Sequence, residues 1–158
     1  MVTVRAPGLR LPARGFTAIE LMVVVAIVAI LTAFAAPYMG QMIRKQALRT
    51  TSFDVFSSLT LARSEAIKRN VSVTMAPVGA DWAKGWTVTD ANGNVLRTQG
   101  SVDNLAIAGP VNVVFTGTGR LSVGILPFSI DTMIGSNTVY RCVSVDLSGR
   151  PVSKESAC

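Results

Sequence analysis

One carboxylate stands at the edge of an otherwise uncharged stretch. Glu20 directly precedes residues 21–36, LMVVVAIVAILTAFAA, in which Thr32 is the only polar side chain. A carboxylate on a membrane helix costs about 2.5–3.5 kcal/mol near the middle of the span and less toward its end, so a retained acid calls for a cationic partner. Cleavage between Gly15 and Phe16 would supply one, because the new α-amino group of Phe16 then lies about one helical turn from Glu20. The same amine on a neighbouring subunit would neutralise the acid when helices stack. The plainer alternative is a glutamate at the level of the lipid headgroups, tolerated by its position.

The other candidate chemistry is sparse. Cys142 and Cys158 are the two cysteines. In a chain delivered across a membrane they read as a disulfide closing a short tail loop, worth roughly 3 kcal/mol by chain entropy, and in a cytosolic chain as two free thiols. There is no histidine, which removes the commonest general base and the commonest metal ligand. Neither a paired set of carboxylates nor a nucleophile with its base is recognisable, so an enzyme, a metal and a cofactor are not expected. Gly117-Thr118-Gly119-Arg120 has the glycines of a phosphate loop but lacks its lysine and the following Ser/Thr.

The elements that must position these residues follow from the pattern. With 158 residues, one folded head plus an accessory helix is expected. Hydrophobic residues make up 49% of the chain and mean hydropathy is +0.45, which points to a segment in lipid; residues 16–37 have the length to span it. Arg5, Arg10 and Arg14 precede this segment and favour a cytoplasmic N-terminus, although Arg44 and Lys45 follow it closely. The candidate cut precedes the apolar run rather than following it, so only the basic leader, residues 1–15, would be lost. That loss lowers the formal charge from +6 to +3, with 12 basic residues left against 9 acidic ones.

Pro37 removes an N–H from the helix and marks a kink. From 38 to 70, apolar residues such as Met42, Phe53, Phe56, Leu59, Ala62 and Ala66 recur three and four apart, an amphipathic continuation of the helix. Its polar face carries Arg44, Lys45, Arg49, Arg63, Lys68 and Arg69 against Asp54 and Glu65: either a solvated face with an occasional ion pair or a basic stripe that touches neighbouring subunits or DNA. Residues 71–158 alternate in short runs, predicting strands near 71–75, 86–89, 95–98, 105–108, 111–115, 124–130 and 139–147, with Asn92-Gly93 as a hairpin turn. Trp82, Trp86, Phe115 and Phe128 are expected in the core or half-buried on strands.

Arg14-Gly15-Phe16-Thr17-Ala18-Ile19-Glu20-Leu21-Met22-Val23-Val24 resembles the class III prepilin signal of type IV pilins and type II secretion pseudopilins. The resemblance implies a prepilin peptidase that cuts between Gly15 and Phe16 and N-methylates Phe16, a docking role for Glu20, and a kinked or melted helix at Pro37. It implies an α+β type IV pilin fold: a long N-terminal helix, half of it in the membrane, packed against a small antiparallel sheet. It also implies a single-pass precursor in the inner membrane with its head in the periplasm, later built into a pilus or pseudopilus.

Leu61-Ala62-Arg63-Ser64-Glu65-Ala66-Ile67-Lys68-Arg69-Asn70, Arg141-Cys142, Ser148-Gly149-Arg150 and the terminal Cys158 are similar to the helix end, C-terminal hairpin and tail of the GspH/FimT family. That resemblance implies a minor pilin that primes or caps a type IV pilus beside other major and minor pilins. The alternative is a minor pseudopilin H of a type II secretion system, with a structural role at the pseudopilus tip. One branch of the family binds double-stranded DNA through a Gly-Arg-any-Arg tail. Here the residues are Gly149-Arg150-Pro151-Val152, without the second arginine. Arg141, Arg150 and Lys154 are the candidates for phosphate contact, and Arg150 as a turn residue on a solvated hairpin is the plainer reading.

Overall fold

The computed structural model describes residues 15–158, and of residues 35–38 the backbone alone. Arg5, Arg10 and Arg14 of the expected leader lie outside the described residues. The chain divides into two compact units between Tyr38 and Met39.

Helix α1, Ala18–Arg69, enters both units. Its start is written in Thr17, whose Oγ1 accepts the N–H of Glu20 at 3.3 Å. Thr17 is therefore the N-cap and Glu20 the third helical residue, the two ends of a capping-box pattern, with Phe16 and Leu21 at the staple positions around it. In the first unit every residue from 15 to 34 is exposed, and the helix is apolar on all sides. Such a helix has no face to offer water and needs lipid or other helices around it. No single helix among the described residues is long and apolar enough to cross a membrane; the segments Ala18–Phe34 and Met39–Arg69, taken together, are. The helical backbone continues through position 37, and the ring of Pro37, where a kink is expected, lies outside the described residues.

In the second unit α1 acquires a buried stripe. Leu48, Ser52, Val55, Leu59, Ala62 and Ala66 are all buried, at alternating spacings of four and three, one face of a helix. The stripe narrows to alanine toward the end, which lets backbone approach closely. The helix stops at Asn70, whose φ of 53° is left-handed. Val71 N–H donates to Ala66 O and Asn70 N–H to Ile67 O, both at 3.3 Å, so the last carbonyls are satisfied in a Schellman closure.

The head is antiparallel and divides into two four-stranded sheets. Its strands are β1 (Val73–Val78), β2 (Asp81–Asp90), β3 (Val95–Gln99), β4 (Ala106–Ala108), β5 (Val113–Phe115), β6 (Phe128–Ile134), β7 (Asn137–Val145) and β8 (Pro151–Lys154). One sheet runs in the order β3-β2-β1-β5 and the other β4-β6-β7-β8. A shared core joins both to the helix stripe: Met75, Trp86 and Val88 from the first sheet, Phe128, Ile130 and Val143 from the second, all fully buried. Trp86 reaches the helix directly, donating its Nε1–H to Ser58 Oγ at 2.9 Å. Trp82 packs edge-on against Phe128 at 4.8 Å and donates to Pro110 O at 2.8 Å.

Several strand limits differ from those expected, for local reasons. The Schellman closure consumes residues 70 and 71, so β1 begins at Val73. Pro127 has no N–H, and β6 begins after it, at Phe128 rather than 124. β2 is more than twice as long as the run 86–89, because it extends back to Asp81 across the glycine at 85, whose φ is 97°. The Asn92-Gly93 hairpin forms as expected between β2 and β3. β8 lies at a sheet edge and starts on Pro151, a residue that edge strands tolerate.

Candidate functional site

Three places carry the residues singled out by sequence. At the helix opening, Gly15, Phe16 and Glu20 are all exposed, with Phe16 79% accessible. Their exposure leaves the Gly15–Phe16 bond open to a peptidase and the Glu20 carboxylate open to a partner.

The second place is the end of α1, and here the motif spanning residues 61–70 finds its physical reason. Ala62 and Ala66 are fully buried. Between them Arg63 turns inward: Nε donates to Gly119 O at 3.1 Å and Nη2 to Ser148 O at 3.3 Å. One arginine thus holds both the 116–120 turn and the turn between β7 and β8. Arg69 binds Glu65 at 2.6 Å and Asp90, at the start of the β2–β3 turn, at 3.2 Å. Asp90 is buried and also accepts the side-chain amide of Asn94 and the backbone N–H groups of Asn92 and Asn94. The Asn94 side chain, then its backbone and that of Asn92, with Arg69 beside them, hold the Asp90 carboxyl below its ordinary range against the opposing pull of burial. The Arg69 hydrogen bond lowers Glu65 in the same way, helped by Lys68. Of the stripe read as a solvated face with an occasional ion pair, or as one that touches neighbours or DNA, Arg69 is exposed and ion-paired, whereas Arg63 is turned to the head and holds two of its turns.

The same geometry explains two glycine motifs. A side chain at Gly117 would meet Asn70 backbone at 2.8 Å, and one at Gly119 would meet Ile67 at 2.5 Å. The phosphate-loop-like run is thus a packing surface for the helix end. Gly149, with φ of 83°, sits so close to Gly119 O that a Cβ would approach to 2.0 Å. The glycine of the Gly-Arg element is required by packing. Asp146 ties this turn together, accepting from Ser148 Oγ at 2.5 Å and Arg150 N–H at 3.0 Å; the Ser148 hydroxyl first, then the Arg150 N–H, lowers its pKa.

The third place is the tail. Cys142 and Cys158 form a disulfide with Cα atoms 5.1 Å apart. In the β6–β7 register Ile130 faces Arg141 and Phe128 faces Val143. Directly opposed residues share a face, so Arg141 lies on the buried side of the sheet, where it pairs with Glu155. Lys154 is opposite Cys142, on the other face. Arg150 is exposed in the turn. The expected cluster of Arg141, Arg150 and Lys154 is not assembled, because strand alternation sends Arg141 and Lys154 to opposite sides. Among the described residues no group of three His, Cys, Asp or Glu side chains could hold a metal.

A capped apolar helix that continues into a two-sheet head closed by a terminal disulfide defines the type IV pilin-like class. Residues 10–36 match the prokaryotic N-terminal methylation motif, and residues 54–149 match the type II transport protein GspH family. The chain belongs to the GspH family of type IV pilin-like proteins. Two crystal structures of the type IV minor pilin FimU from Pseudomonas aeruginosa PAO1 share its fold. The P21 form is 22% identical, covers 70% of this chain and 90% of that one, and has a TM-score of 0.59. For the P65 form the values are 21%, 67%, 91% and 0.52. No curated protein sequence matches the chain. The family is one of structural subunits of a type IV pilus or a type II secretion system, and the methylation motif implies membrane anchoring, peptidase processing and assembly with other pilins.

Proposed function

We propose that the chain is a minor pilin that is cut between Gly15 and Phe16, N-methylated on Phe16 and built into a type IV pilus, where it primes or caps the filament. The observation that carries this reading is the first unit: a helix apolar on every side, exposed over residues 15–34, that opens on Thr17 and Glu20. Glu20 docks on the Phe16 amine of a neighbouring subunit, Pro37 marks the kinked or melted segment between residues 16–37 and 38–70, and the head, residues 71–158, stands in the periplasm before assembly. Alanines such as Ala26, Ala29 and Ala33 permit close helix approach within the filament.

Mass spectrometry of the membrane-fraction protein tests the first step. The expected mass is that of residues 16–158 with one added methyl group and one disulfide. Recovery of an intact leader, or of an unmethylated Phe16, would overturn it. Docking is tested by Glu20→Ala, which should leave the subunit in the membrane but out of sheared filaments.

A second reading, contact with double-stranded DNA, is favoured by one observation: Arg120 and Arg150 are both exposed on the two turns whose glycines touch. Each phosphate contact contributes a slope of roughly −0.9 in log affinity against log salt. Arg150→Ala should lower affinity and flatten that slope by about one contact. Equal isotherms would remove Arg150 from the contact, and no binding at low salt would leave the secretion pseudopilin, without DNA binding, as the rival.

A further inference from the structure

Beside the tail, two adjoining clefts open between α1 and the second sheet, of about 350 and 340 Å³. Arg49 and Arg141 line both. Lys45 adds a third cation, and among the described residues neither Lys45 nor Arg49 has an ion pair. The first cleft is otherwise walled by Phe53, 67% exposed, with Phe56 and the hydroxyls of Ser52 and Ser153, which meet each other at 3.1 Å, and the second is bordered by the apolar Met42, Leu48 and Val139 and by Glu155. Like charges around one concavity favour an anion between them.

The chain already supplies a stand-in. Glu155, on the disulfide-held tail, binds Arg141 although its own side chain is 76% exposed. An ion pair with one partner so open to water is weak and exchanges at little cost. It also leaves most of the Arg141 guanidinium donors unused among the described residues, as only the one bond to Glu155 is formed.

We infer that this cleft receives an acidic side chain from a loop of another pilin subunit, displacing Glu155 from Arg141. A carboxylate fits rather than a nucleic acid. The volume admits a side chain or two and excludes a duplex, the phenyl rings suit an aliphatic stem, and β8, an edge strand, borders the opening where an extended segment can run. The inference rests on the assembly reading above and names one of its contacts.

The test uses the full chain in detergent micelles and, as probe, a fluorescent capped peptide of alternating glycine and glutamate, beside its glutamine counterpart. Anisotropy should report binding of the glutamate peptide alone. Arg49→Gln and Arg141→Gln should each weaken it roughly tenfold. Glu155→Gln, which removes the internal competitor, should tighten it about twofold to fivefold, whereas Asp81→Asn, an equal change of charge in a different cavity, should not. Equal binding of the two peptides, an unaffected arginine pair, or equal effects of Glu155→Gln and Asp81→Asn would overturn the site. Competition by duplex DNA that disappears in both arginine variants would overturn the choice of occupant. The assembly reading fails separately: absence of the wild-type chain from sheared filaments would sink it without altering peptide binding.

Discussion

Gly149 carries its role through an absent methyl group. Its left-handed backbone and the 2.0 Å approach of a would-be Cβ to Gly119 O act together, so Gly149→Ala should cost about 2–4 kcal/mol in urea unfolding. Gly93 has nearly the same φ, 82°, but nothing within 4 Å; Gly93→Ala should show only the backbone strain, about 1 kcal/mol. Asp90 makes a prediction in pH. Its carboxyl is depressed in the folded state, so its contribution is fully present above the unfolded pKa of about 3.9 and is lost as pH falls through the lower folded value. Asp90→Asn should therefore destabilise the head at neutral pH and flatten the fall in urea midpoint on acidification below pH 4. A variant with the wild-type acid slope would place the acid sensitivity elsewhere.

The elements divide into those that periodicity reveals and those that context decides. Helix α1 was legible throughout: an uncharged run after Glu20, then Phe56, Leu59, Ala62 and Ala66 at helical spacing. Asn92-Gly93 announced its hairpin by turn chemistry alone. The limits of β1, β2 and β6 were not legible, because they depend on how the helix closes at Asn70, on the left-handed glycine at 85 and on Pro127, which a count of alternating residues does not weigh. The inward turn of Arg63 was hidden for a different reason. Composition marks an arginine as solvated, and only the pairing of distant glycines with the helix end shows what it grips. Ala66, fully buried against that end, gives the element its sharpest test: Ala66→Leu should destabilise by about 1–3 kcal/mol through overpacking, read from the shift in unfolding midpoint at unchanged slope.

Across the whole molecule, the core residues run from Leu48 to Val143, all within the unit that begins at Met39. A chain starting at Met39 should therefore unfold in one cooperative transition, while the full chain should need detergent to stay dispersed; a molten or non-cooperative head would show that the first helical half contributes to folding. The disulfide closes a separation of 16 residues, and its removal in a Cys142→Ala, Cys158→Ala double variant should lower stability by about 3 kcal/mol, measured against the wild type with and without reductant. The Arg63 grip has a bearing on the order in which the head takes shape. It joins positions 56 and 85 residues apart, and closing loops of that length precedes any reward from the contact. The helix can therefore wind early, but its end stays unlatched until the β7–β8 turn has been made, so the last fastening of this subunit is also among its longest-range ones.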